Sequence, residues 1–257
     1  MECFVHADKK YFPEYNWFEK AISYPYKAPT IPFTFKKGKF YRGIHISLKD
    51  RIPIISIGSN RSPYQLKNKF GVKENLCVTP TKLYNSVIVY AASMSAYGSI
   101  PATQWPCEGS VSDLNLLWLN QDQLQIMHLS EGLVIAYHYV ELDKNTVTIQ
   151  ENDYSGPIFG YISTRGGYLF EGDLPFRLHN IKSNTNIFSS INEHEALNKL
   201  FLDNPIGQNS LESWLKKMIS NKSIRLSLID KMSQNSLVPN NVPWKIIDVK
   251  ITGNNIY

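Results

Sequence analysis

The sequence predicts an α+β fold in which a sheet is built first and helices are added after it. Three observations carry this. Short runs of β-branched and aromatic residues recur between about residues 52 and 163. From about residue 185 the apolar spacing changes to the three-to-four repeat of helices. No internal repeat or low-complexity block divides the 257 residues. Strands followed by helices in one chain of this size give an α+β domain, and the sheet is expected to curl into a small mixed barrel.

Residues 1–50 read as an arm rich in rings and prolines, among them Tyr11, Phe12, Tyr15, Trp17, Phe18, Tyr24, Pro25, Tyr26, Pro29 and Pro32. Prolines at this density oppose regular structure, whereas the rings seek burial, so the arm should wrap over the main domain. Residues 51–185 form that domain. Its first strand is the apolar run 52–57, which ends at Gly58. Ser62 and Pro63 then open a helix carrying Leu66 and Phe70 on one face, which makes 58–61 a strand-to-helix turn.

Further strands are expected at 86–92, 111–119, 133–142, 146–150 and 158–163, with a hairpin-like break at Asp143, Lys144 and Asn145. Between 119 and 133 lies a short helix. Asn120 and Gln123 give it a capping-box start, Leu124 and Met127 its apolar face, and Gly132 follows its end. Glu131 thus sits where a helix hands over to a strand.

Residues 186–257 are expected to be a mostly helical extension packed on the barrel. Asn192 with Glu195 begins one helix, bearing Ala196, Leu197, Leu200 and Phe201. Asn209 with Glu212 begins a second, bearing Leu211, Trp214, Leu215, Met218 and Ile219. A third runs through Ile224, Leu228, Ile229 and Met232, and the alternation over 242–251 reads as a strand.

The bulk numbers exclude several classes. A hydrophobic fraction of 43% and a charged fraction of 19% describe a globular chain. The net charge of +5 comes from lysines clustered at 36–39 and 216–231, which read as solvated faces. No aromatic–basic signature accompanies them, so nucleic acid is not an expected partner. Three cysteines, Cys3, Cys77 and Cys107, form no Cys-x-x-Cys pair and point to the cytoplasm rather than to a disulfide framework. The first eleven residues lack the apolar run of a secretory signal, and the longest apolar stretches are too short to span a membrane. His128 has no second histidine or cysteine at ligand spacing, so neither a metal nor another cofactor is expected.

Chemistry is expected at two places. A Gly58–Ser59–Asn60 turn leading into a helix gathers unpaired backbone N–H groups, which suit a carboxylate, a phosphate or a developing oxyanion. Gly58 permits close approach, while Ser59 and Asn60 add side-chain donors. Glu131 supplies a carboxylate. His128 lies one helical turn before it and reads as an exposed histidine, and Cys107 reads as structural.

Several segments in order resemble the γ-glutamylcyclotransferase family. They are ISIGSN at 55–60, YGSIPAT at 97–103, CEGS at 107–110, LLWLN at 116–120 and LQIMHLSEG at 124–132. Farther on come IFGYI at 158–162 and GDLPFRLHNI at 172–181. The resemblance covers residues 52–182, about half of the chain. It implies a closed barrel with a cavity at the Gly58–Asn60 loop, and it carries the family's catalytic glutamate onto Glu131. It also implies substrate contacts at Ile57, Gly58, Ser59, Asn60 and Tyr161. Arg61 and Tyr97 are further candidates, the first for a substrate carboxylate and the second as a cavity wall. Ile57 stands where the family usually has tyrosine, which leaves the site one polar contact short.

The implied reaction releases 5-oxoproline and an amine from a γ-glutamyl amine or related amide. Ring closure is intramolecular, so the protein need only fold the substrate for attack. One carboxylate at a partly apolar barrel mouth can take the proton from the attacking amine and return it to the leaving one. The alternatives are a barrel that binds a small molecule or acts as a scaffold without catalysis, and an amide hydrolase or acyltransferase of a biosynthetic pathway.

Overall fold

The computed structural model of the chain describes residues 11–37, 39–149 and 154–249. A short helix α1 (Trp17–Ile22) precedes the hairpin β1 (Phe33–Lys36) and β2 (Lys39–Arg42). Strand β3 (Ile52–Ser56) runs through a 3-10 turn at Ser59–Arg61 into α2 (Pro63–Phe70). The long hairpin β4 (Leu76–Tyr90) and β5 (Ala102–Leu119) leads to α3 (Gln121–Ser130). Short strands follow: β6 (Tyr137–Leu142), β7 (Val147–Thr148), β8 (Phe159–Ser163), β9 (Gly167–Tyr168), β10 (Arg177–Leu178) and β11 (Ser190–Ile191). The last part holds α4 (Glu193–Asp203), α5 (Leu211–Ser220), α6 (Lys222–Gln234), β12 (Ser236–Leu237) and β13 (Trp244–Ile246).

The architecture is mixed α+β, with one large mixed sheet, but no closed barrel is found among the described residues. The main path through the sheet is β11-β10-β4-β5-β3-β8-β6-β13. A barrel would have to zip the free edge of β6 to that of β4. Both edges are already taken. Strand β13 covers β6, while β1, β7 and β10 cover successive parts of β4. The strands that hold the sheet open include β1, from the first fifty residues, and β13, from the last seventy.

Other expectations are corrected by the same pairings. The strands expected at 86–92 and 111–119 are parts of a hairpin of 15 and 18 residues. Its remaining length is rich in Thr79, Thr81, Thr103, Gln104 and Ser110, polar residues buried in the sheet. They break the apolar alternation by which a strand is recognised in sequence. The break at 143–145 is a 3-10 turn and not a hairpin, because β6 pairs with β8 while β7 pairs with β4. Residues 133–136 form a turn rather than a strand. Gly132 and Val134 both take left-handed φ values, +59° and +74°, and only Leu133 of this run reaches the core. The arm holds a regular element as well, since Asn16 and Glu19 form a capping box that starts α1.

The capping boxes expected at Asn120 and Asn192 open α3 and α4. At α5 the cap is Ser210 instead of Asn209, its side chain accepting from the Ser213 amide. Helices α1, α4, α5 and α6 pack together on one core cluster, which includes Ala21, Leu197, Trp214, Met218, Leu228, the strand residue Tyr90 and the loop residue Ile100. A second cluster joins α2 and α3 to the sheet through Leu66, Phe70, Leu117, Met127 and Tyr161. The cavity described next lies between these two cores.

At the start of α4, Glu193 is only 1% exposed. One of its oxygens accepts from the Ile100 amide at 2.6 Å, and the other has no partner among the described residues. Burial pushes this carboxyl well above the usual carboxylate range, so the folded state holds the proton. A raised folded pKa contributes stability below the unfolded pKa, and that contribution is lost as pH rises toward the folded value. Substituting glutamine keeps an acceptor for Ile100 and cannot ionise. The melting temperature of Glu193→Gln should therefore gain steadily on that of the wild type as pH goes from 5 to 8. Parallel curves for the two proteins would show Glu193 to be ionised in the fold.

Candidate active site

The turn after β3 and the end of α3 meet although they lie some seventy residues apart in sequence. Asn120 caps α3, and the helix runs ten residues to its C-cap, Glu131. That cap position turns the carboxylate toward the Gly58 turn. Asn60 Nδ2 donates to Glu131 Oε1 at 2.9 Å. Lys69, in the last turn of α2, donates to the same oxygen and forms an ion pair with it. The two side chains are 7% and 15% exposed, so the pair is largely withdrawn from water.

This cluster faces a cavity of about 560 Å³. Ile57, Gly58, Ser59 and Asn60 line one wall, Tyr97 and Ala102 another, and Tyr137 and Tyr161 the floor beside Glu131. The arm contributes Lys20 and Tyr24. The Tyr24 hydroxyl accepts from the Ala102 amide at 3.0 Å and lies against Gly58. Lys20 holds its ammonium 4.9 Å from the centre of the Tyr97 ring.

The phenols are all held in the protonated form. Burial, with the Glu131 charge adding to it, pushes Tyr97 up to about 12. Burial and then Glu131 raise Tyr137 well above the phenol range, and Tyr161 is raised by the same two causes. These rings can donate hydrogen bonds but cannot take a proton near neutral pH. Behind the floor, Tyr161 Oη lies 2.8 Å from His128 Nδ1. His128 is 2% exposed rather than a surface residue, and burial lowers its pKa, so the neutral ring accepts from the phenol.

Of the residues singled out from sequence, Ile57, Gly58, Ser59, Asn60, Tyr97, Glu131 and Tyr161 line this one cavity. Arg61 does not. It points to the far side of the turn, where Nη1 donates to the Asp113 carbonyl at 3.1 Å. Sequence reasoning missed Lys69, Tyr137, Lys20 and Tyr24. Lys69 had a legible signal, since it lies in the last turn of a helix whose first turn follows the Gly58 turn. The partner it finds on α3 was not legible. Cys107 is buried, with Thr185 as its neighbour. Among the described residues no group of three His, Cys, Asp or Glu could hold a metal ion, and no helix is long and apolar enough to cross a membrane.

No family model matches the chain, and no curated protein matches it. Among solved structures, one titled "Gamma-glutamyl cyclotransferase" superposes with a TM-score of 0.38 at 16% identity, covering 44% of this chain and 67% of that one. An uncharacterised protein from Homo sapiens superposes with a TM-score of 0.36 at 17% identity, covering 45% and 68%. At these scores the likeness carries no functional argument, and the site has to speak for itself.

Gly58 is the tightest point of the cavity wall. A Cβ there would collide with the Tyr24 hydroxyl and press on its ring. Gly58→Ala must push Tyr24 away from the Ala102 amide, and the expected loss of stability is about 1–3 kcal/mol by urea unfolding. A substitution without effect would mean that the arm does not seat against the turn in solution.

Proposed function

We propose that this protein is a γ-glutamylcyclotransferase-like enzyme, acting on a γ-glutamyl amine or related amide by intramolecular aminolysis. The observation that carries the reading is the meeting of Glu131 with the Gly58–Asn60 turn in a phenol-lined cavity. The neutral α-amine of the γ-glutamyl group attacks the γ-carbonyl carbon and closes a five-membered ring, and Glu131 accepts the proton that the attacking nitrogen sheds. The Ser59 hydroxyl, the Asn60 amide and the Tyr97 phenol are the donors available to the oxyanion, the Tyr137 and Tyr161 phenols being engaged by the Ala102 carbonyl and by His128. As the intermediate collapses, the old amide bond breaks and Glu131 returns the proton to the leaving amine. Lys69 holds the carboxylate in place.

The test is incubation of the purified protein with a panel of γ-glutamyl amines, with 5-oxoproline, free glutamate and free amine all measured. Release of 5-oxoproline with one equivalent of amine supports cyclisation. Free glutamate in its place identifies an amide hydrolase. A second reading, a binding protein without catalysis, is favoured by the Lys69 ion pair, because an ammonium already occupies the oxygen that would serve as base. Saturable binding of a γ-glutamyl amine without turnover would select it.

A further inference from the structure

Arg61 closes the same 3-10 turn that carries Ser59 and Asn60, yet it faces a separate cavity of about 240 Å³. Thr81, Lys82, Asp113 and Asn115 share the lining with it. The Asp113 carboxylate is engaged by Lys82 at 3.0 Å, and both of these side chains are nearly half exposed. Among the described residues Arg61 donates to the backbone carbonyl of Asp113 and not to its carboxylate. Two cations and one carboxylate thus surround the cavity, and the guanidinium that faces it has one neutral acceptor for its five N–H groups. Asn115, in the same lining, is buried; its Nδ2 donates to the Pro29 carbonyl at 3.4 Å, and its Oδ1 has no partner among the described residues.

From this we infer a small-oxyanion site, in which Arg61 takes the charged oxygens of an inorganic phosphate and Asn115 Oδ1 accepts from its remaining O–H group. The unsatisfied groups are complementary to that ligand in both senses. A partly buried cation needs a counter-charge, and a buried amide oxygen needs a donor. Arginine matches a tetrahedral or planar oxyanion through two parallel N–H groups. Desolvation lowers the Arg61 guanidinium to about 10, with the Asp113 charge opposing this, as suits a cation short of counter-charge. Sulfate offers Arg61 the same oxygens but no O–H, and acetate offers two oxygens only. Occupancy would hold the Gly58 turn from behind. The inference stands independently of the proposed reaction, which uses the other face of that turn.

The test is calorimetric titration of the full-length protein with inorganic phosphate, sulfate and acetate at pH 7 and constant ionic strength, with melting temperature as a second readout. Phosphate should bind several-fold more tightly than sulfate. Arg61→Gln should weaken phosphate binding at least tenfold, an effect in the range of a charge-assisted hydrogen bond. Asp113→Asn, at an exposed position that folding tolerates, removes the competing carboxylate and should tighten binding by a few-fold. It keeps the proposal open to refutation if Arg61→Gln fails to fold. Phosphate affinity unchanged by both substitutions, or no saturable binding up to tens of millimolar, overturns the site. Equal affinity for phosphate and sulfate overturns the role of Asn115.

Discussion

Glu131→Gln should lower 5-oxoproline release by a factor of about 10²–10⁴, the span usual for loss of a positioned general acid–base. The amide has the shape of the carboxylate and can still accept from Asn60 and Lys69, but it takes no proton. Among the described residues no second carboxylate lines the cavity. The phenols of Tyr97, Tyr137 and Tyr161 are held protonated, and His128 sits behind Tyr161. The variant also strands Lys69, 7% exposed, without its counter-charge. Removing one partner of a buried pair costs about 3–5 kcal/mol, and the lower end suits a pair with some access to water. Rates must therefore be compared below the lowered melting temperature. The double variant Lys69→Met with Glu131→Gln should regain part of that stability and none of the activity. A single variant retaining a tenth or more of the wild-type rate would remove Glu131 from the mechanism.

Trp118→Ala should cost about 3–5 kcal/mol, the largest loss expected from one core truncation in the sheet. Trp118 lies in β5 between Pro53 of β3 and Cys77 of β4, at the middle of the main sheet. Its indole N–H donates to the Thr79 hydroxyl at 3.0 Å, and its ring meets Tyr154 edge-on at 5.3 Å between centroids. Truncation leaves a cavity that flanking strands cannot close, because both are fixed by their ladders. For a domain of this size the loss corresponds to a fall in melting temperature of roughly 6–20 °C. Trp118→Phe keeps most of the volume and should cost about 1–2 kcal/mol, largely for the lost hydrogen bond. A loss below 1 kcal/mol for the alanine variant would mean that the β3–β5–β4 layer is not the core of the folding unit.

Where local chemistry suffices, the sequence reads directly into the fold. The apolar run at 52–57, Gly58 and the Ser62–Pro63 start give strand, turn and helix within a residue or two of β3 and α2. Asn120 with Gln123 starts α3, and the length of its apolar face brings the chain to Glu131 as the cap. Sequence alone therefore places the turn and the carboxylate each at the end of a regular element. It also groups the later helices, because their stripes are set by a repeat of three to four residues.

Only the tertiary structure decides what those ends meet. Glu131 finds Asn60 across 71 residues and Lys69 across 62, and no local period encodes a pairing at that range. The turn gives Arg61 to a different cavity because consecutive side chains of a 3-10 turn diverge by about 120°. His128 is buried because Tyr161, on β8, supplies a donor that makes its burial affordable. Among the described residues the sheet stays open because β1 and β13, from opposite ends of the chain, pair with the edges of β4 and β6. Residue type and spacing fix the elements. Which backbone edges remain unpaired is settled only when distant segments compete for them.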